Sequence, residues 1–270
     1  KFPPPDGFQP LNAANTRPET VISRPDQYVG VATYTGNGST KTISGLNHKP
    51  DLVWLKSRTA GGGSFNNHVM VDSVRGTTGS GLYPHGYRNL YPNLTDSEYA
   101  PTDVSNSSVT SLNSNRFDIG GNANTNYNTA TYVAWAWKAG GNKNTFNVDD
   151  IGYATAAAAG LGASGNSWDS DPTGASIGTK QGFSIIKHTG TGSTGTLPHG
   201  LTQKPTFYIS KPASTTGNWV VYTDLIDGSL DYFYLNNTDS KGNSGQSLPT
   251  SELFSYGYTA NEYIHYLWHD

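Results

Sequence analysis

Five groups of residues in this sequence have types and spacings that could do chemistry. Gly174-Ala-Ser176-Ile-Gly178 has the Gly-x-Ser-x-Gly form of a hydrolase nucleophile elbow. Such an elbow needs a buried strand just before the serine and a helix just after it. The preceding Trp168-Asp-Ser-Asp-Pro-Thr173 is made of loop formers, so no nucleophile is expected at Ser176. Asp169-Ser-Asp171-Pro-Thr173-Gly174 offers oxygen ligands at alternate positions with glycine sixth, as a helix–loop–helix calcium loop does. Its twelfth position, where a bidentate Glu belongs, is Lys180. That leaves open only a looser surface calcium site at Asp169 and Asp171; no other cofactor is expected. His265 and His269 have the spacing that chelates zinc on a helix, but on a strand four residues span about 13 Å, too far for one ion. His265 therefore reads as a packed or edge histidine. The Gly-rich segments Gly36–Ser39 and Gly190–Ser193 lack the lysine, hydroxyl and following helix of a phosphate loop, and read as hairpin turns. Lastly, aromatic faces stack on sugar rings and amides satisfy their hydroxyls. The loop tyrosines Tyr83, Tyr87 and Tyr91 are the exposed candidates for such a glycan contact.

Composition narrows the function classes. Only 14% of the 270 residues are charged, while Gly (32), Asn, Ser and Thr are abundant. The surface must then rely on neutral hydrogen-bonding groups. A net charge of −3 leaves no electrostatic footprint for nucleic acid or an anionic membrane, and no apolar run is long enough to span a bilayer. The absence of cysteine excludes a disulfide framework, a thiolate metal site and a cysteine nucleophile. Glycoside hydrolysis needs a pair of carboxylates across a groove, and the 20 acidic residues offer no convincing pair. The sequence therefore assigns no catalytic residue.

The elements that must position these groups come from a duplication. Tyr34-Thr-Gly-Asn-Gly-Ser-Thr40 matches His188-Thr-Gly-Thr-Gly-Ser-Thr194, and Gly45-Leu-Asn-His-Lys-Pro50 matches Gly200-Leu-Thr-Gln-Lys-Pro205. Asp51–Lys56 then matches Thr206–Lys211, Asn93–Ser97 matches Asn236–Ser240, and Tyr132–Trp137 matches Tyr263–Trp268. Short runs of β-branched and aromatic residues between Gly, Asn, Ser and Pro clusters predict an all-β fold of two tandem antiparallel β-sandwich modules, jelly-roll-like. The expected boundaries are a lead-in over 1–29 from a preceding domain, a first module over 30–138, a Gly/Ala-rich linker over 139–181, and a second module over 182–270. Ala154–Ala159 is the only helical candidate. Alternation puts Val133, Trp135 and Trp137 on one strand face and Ile264, Tyr266 and Trp268 on its counterpart, and both sets are expected to point inward. Lys1 and the abrupt stop at Asp270 suggest a fragment, with the second module continuing beyond it.

The series Tyr34–Thr40, Lys49–Arg58, Asp72-Ser-Val-Arg75-Gly76, Gly120-Gly-Asn122 and Tyr132–Lys138 resembles a tandem β-module of virion structural proteins in marine tailed bacteriophages. In those proteins the module often follows a laminin-G-like domain, with a lead-in like Gly7–Asn15. The resemblance is specific over the first module and looser in the second, where no Asp-Ser-Val-Arg-Gly segment survives. It implies location on the virion exterior, in a tail fibre, tail appendage or capsid surface, as a structural component contributing to host attachment. The alternatives are a carbohydrate-binding adhesin module and, behind it, a fragment of a glycan-degrading tailspike. Expected partners are other virion proteins, host surface glycan and further copies of the chain, a trimer being favoured over other cyclic forms.

Overall fold

The computed structural model describes residues 22, 24–59, 66–79, 85–163, 168–257 and 259–269. Among them the structure is almost wholly β, as the sequence predicts. The first half carries β1 (Val29–Thr35), β2 (Lys41–Ser44), β3 (Leu52–Ser57), β4 (Val69–Asp72), β5 (Thr77–Thr78), β6 (Gly86–Tyr87), β7 (Ser111–Asn113) and β8 (Arg116–Ile119). A single helical turn, α1 (Ala123–Asn126), capped by the Asn122 side chain, precedes β9 (Thr131–Trp137). The second half carries β10 (Phe146–Val148), β11 (Ile151–Tyr153), β12 (Gly174–Gly178), β13 (Phe183–Thr189), β14 (Gly195–Pro198) and β15 (Phe207–Pro212). It continues with β16 (Val220–Thr223), β17 (Asp231–Tyr234), β18 (Gly242–Asn243), β19 (Leu253–Tyr256) and β20 (Glu262–Trp268).

The duplication is visible in the topology. One sheet runs β1-β9-β3-β4, and the larger sheet contains the same order as β13-β20-β15-β16. Smaller sheets built on β2-β8 and β14-β19 also correspond. Side-chain bonds repeat as well. Asn93 accepts from the His68 N–H and donates to Asn67, while Asn236 accepts from the Trp219 N–H and donates to Asn218.

Three expectations are corrected. Residues 139–181 are not a linker: β10, β11 and β12 lie there and extend the second sheet as β11-β10-β12-β13, with β10 and β12 parallel. Residues 154–160 form turns, not a helix, closed by the Leu161 N–H on the Ala156 carbonyl at 2.8 Å. Gly36–Ser39 and Gly190–Ser193 are not hairpin turns, since β1 pairs with β9 while β2 pairs with β8, and β13 pairs with β20 while β14 pairs with β19. Each glycine segment carries the chain from one sheet to the other.

The fourth correction concerns the core. Each module's interior is lined by the opposite face from the one expected. In the first, Ala134 and Ala136 cluster with Ile43, Phe117 and Ile119 of the small sheet and Tyr132 is buried against Tyr34, while Val133, Trp135 and Trp137 are half-buried. Trp137 and its counterpart Trp268 meet edge to face across the junction, with ring centres 6.4 Å apart. Ten buried apolar side chains form one seam there, among them Leu52, Met70 and Leu90 of the first module and Ile185, Ile209 and Ile264 of the second. The two large sheets thus pack back to back, giving four β layers. At about 1.5–3 kcal/mol per fully buried apolar side chain, such a seam rivals the net stability of a whole domain.

Polar groups lock the same seam. Tyr266 Oη donates to Asp72 Oδ2 at 2.8 Å, and the same oxygen accepts from Arg75 Nε at 2.6 Å. The Asp72-Ser-Val-Arg75-Gly76 segment is therefore a buried ion pair facing the other module. Trp219 Nε1 donates to the Tyr91 carbonyl at 3.0 Å, and the Lys211 ammonium donates to the carbonyls of Thr95, Pro212 and Gly217.

Candidate functional site

The structure takes up the sequence's candidate groups mostly for architecture. Ser176 lies in the middle of β12, fully buried, rather than in a loop. Its Oγ accepts from the Gly140 N–H at 2.9 Å and donates to the Gly141 carbonyl at 2.8 Å. Asp51, buried and raised above the usual carboxylate range by loss of water, accepts from the N–H groups of Ala139 and Gly141 on the same crossover. Ser176 and Asp51 thus clamp the chain where one module passes into the next. Asp169 accepts from the backbone and hydroxyl of Thr196, and Asp171 accepts from the Ala163 N–H, so both carboxylates tie down loops. Among the described residues no cluster of three or more His, Cys, Asp or Glu is gathered as if for a metal.

The expected glycan tyrosines are also displaced. Tyr83 lies outside the described residues. Tyr87 is no loop residue but part of β6, buried in the first core, where loss of water pushes its phenol up to about 12. Tyr91 is half-buried against the same core. Both are taken up by packing against the first core, Tyr87 within it and Tyr91 on its edge.

A different set of tyrosines does. β15, β16 and β17 run side by side, with Tyr208 opposite Tyr222 and Tyr222 opposite Tyr232. Strand alternation puts Tyr232 and Tyr234 on one face, and the register adds Tyr222. The Tyr208 and Tyr222 rings stack at 4.7 Å, and Tyr232 meets Tyr234 edge-on at 5.5 Å. Tyr222, Tyr232 and Tyr234 are each half-buried, so part of each ring is accessible. They line a groove whose polar wall comes from Thr215, Asn218 and Asn261 at one end and Ser244 and Gln246 at the other.

Under the groove lies a chain of buried polar groups. Ser210 Oγ lies 2.7 Å from His265 Nδ1, and His265 Nε2 lies 2.9 Å from His188 Nδ1. Burial holds both rings neutral: His188 falls to about 4 and His265 well below its ordinary value. A serine beside a histidine suggests acyl transfer, but a general base must become imidazolium as it takes the proton. Here that cation would form with loss of water on all sides and against a second imidazole instead of a carboxylate. The relay is better suited to holding the groove floor in one tautomeric pattern. His265 is bonded to Ser210 and His188, while His269 sits past the end of β20.

The first module shows what the groove replaces. By register, Ser210, His265, His188 and Tyr222 correspond to Leu55, Ala134, Tyr34 and Val71, all packed in or against an apolar core. At these positions the first copy is apolar or aromatic, whereas the second, which keeps a filled core beside them, is polar and tyrosine-lined. The sequence carried that signal in Asp231-Tyr-Phe-Tyr234 and in tyrosine standing where the first copy has valine, but only the strand register unites them.

A second hollow, of about 440 Å3, opens along the seam between Leu52, Trp54, Trp137, Phe207, Val221 and Trp268, and is walled almost wholly by apolar groups.

The molecule is a tandem-module β protein whose copies share one buried seam and differ in one groove. It belongs to the family described as Domain of unknown function (DUF7483), which matches residues 24–270. The family's extent therefore takes in both modules and the strands between them, not a single sandwich. No curated protein and no solved structure matches the chain.

Proposed function

We propose that the chain is a non-enzymatic structural component of a bacteriophage particle's exterior, in a tail fibre, tail appendage or capsid surface, contributing to host attachment. The observation that carries this reading is the seam. Two sandwiches joined by ten buried apolar side chains, Tyr266 among them, and by a buried Asp72–Arg75 pair that Tyr266 bonds, present one continuous seam, which favours a stiff body. Stiffness suits a part that holds a receptor-contacting surface at a fixed position. The Asp72–Gly76 segment, one of those that resemble the phage virion module, forms the polar lock of that seam. The few charges also favour contact with identical neighbours at low desolvation cost, and the assembly we expect is a homo-oligomer, with a trimer favoured.

A second reading, a carbohydrate-binding adhesin module, is favoured by the tyrosine-lined groove. The primary test is direct. Antibodies to the chain should decorate intact purified particles, and reconstruction of those particles should show copies in mutual contact. Particles without the chain would remove the virion reading, and isolated single copies would remove the assembly.

A further inference from the structure

We propose that the groove of the second module binds a neutral oligosaccharide. This deepens the attachment reading and rests on it for its biological setting. Three hollows, of about 280, 140 and 500 Å3, run into one another along this face. The first two share Val220, Tyr222 and Tyr234, and the last two share Ser244 and Gln246. Adjoining hollows of these volumes hold more than one sugar ring.

Chemistry selects the ligand class. Sugar rings present apolar C–H faces and a rim of hydroxyls that both donate and accept. The accessible parts of Tyr222, Tyr232 and Tyr234 supply aromatic faces for the first. Asn218, Asn261, Thr215 and Ser244 supply donors and acceptors for the second. Gln246 lines both the second and the third hollow, and its Oε1 is buried with no hydrogen-bond partner among the described residues. An unpaired buried acceptor costs about 1–3 kcal/mol, and a ligand hydroxyl would remove that cost.

Charge decides between neutral and acidic glycans. Among the described residues, no Asp, Glu, Lys or Arg lines any of the three hollows. Lys211, between the lining residues Ser210 and Pro212, is buried with its ammonium on the carbonyls of Thr95, Pro212 and Gly217, and Lys241 is held by Asp227 and Asp231. A uronic or sialic acid would give up its hydration with no counter-ion in return. A proline-rich peptide could also lie on tyrosines, but it has few N–H donors for the Gln246 oxygen.

The test is binding of the full chain to an array of neutral and acidic glycans, followed by calorimetric titration with the best neutral oligosaccharide. Tyr234→Ala and Gln246→Leu should each weaken binding about tenfold or more, with unfolding temperatures near that of the parent. Tyr234→Phe, which keeps the ring, and Tyr99→Ala, outside the groove, should bind as the parent does. If Tyr234→Ala fails to fold, Gln246→Leu carries the test. The proposal is overturned by no neutral binding, by preference for acidic glycans or proline-rich peptides, or by parental affinity in the folded variants. Particles that carry a chain with no glycan affinity would leave the structural reading standing. Glycan affinity in a chain absent from particles would do the reverse.

Discussion

Asp72 and Arg75 are both almost fully out of water, Tyr266 of the other module donates to Asp72, and Glu98 lies 3.5 Å from the Arg75 guanidinium. Removing one partner of such a pair strands a charge, whereas removing both leaves mainly a packing loss. Arg75→Ala should therefore cost about 3–5 kcal/mol in denaturant unfolding, and Asp72→Asn with Arg75→Met in one chain should cost less than Arg75→Ala alone. Lys211 makes a second test of burial. Loss of water, opposed by Asp96 and reinforced by Arg75, brings its ammonium down to about 8 from an ordinary 10.5. Between those values the unfolded chain holds more protons than the folded one, so this lysine's contribution to stability rises with pH across that window. Measured against Lys211→Met, the parent should gain stability from pH 8 to 10.5; parallel curves would contradict this. The buried histidines act at the other end. His188 and His199 fall to about 4, both through loss of water, so stability should drop as pH falls from 6.5 toward 4. His199→Gln should lessen that drop in acid unfolding curves.

At the scale of elements, the glycine segments after β1 and β13 are sheet crossings, and each contains a position of forced close approach. A Cβ on Gly36 would collide with the Tyr127 carbonyl oxygen, and one on Gly190 with that of Thr259. Because the obstacle is backbone in both, Gly36→Ala and Gly190→Ala should each destabilise by about 1–3 kcal/mol in thermal or denaturant unfolding. Paired costs at paired positions would also test the duplication. The repeated segments made β1, β3 and β9 and their counterparts β13, β15 and β20 legible from residues alone. Which face of β9 looks inward was not legible, because alternation groups Trp135 with Trp137 without saying which layer they meet. The 139–181 segment was misread for a related reason. Its glycines mark tight packing, not looseness: every residue of β12 is buried, and a Cβ on Gly140 would strike the backbone of Asn147 and Ile177. The groove was hidden because Tyr222, Tyr232 and Asn261 come together only through pairing registers that no local pattern encodes.

At the scale of the whole molecule, the seam predicts a single unfolding event. Calorimetry should give one transition, with calorimetric and van't Hoff enthalpies equal; two resolved transitions would mean the sandwiches melt separately. The same seam fixes where the chain enters and leaves. Val29, at the start of β1, is the register partner of Trp137, and the Trp137 ring packs against that of Trp268, at the close of β20. Entry and exit therefore lie at one pole of the body. Any polypeptide joined to both ends would be brought together there, beside the Trp137–Trp268 contact.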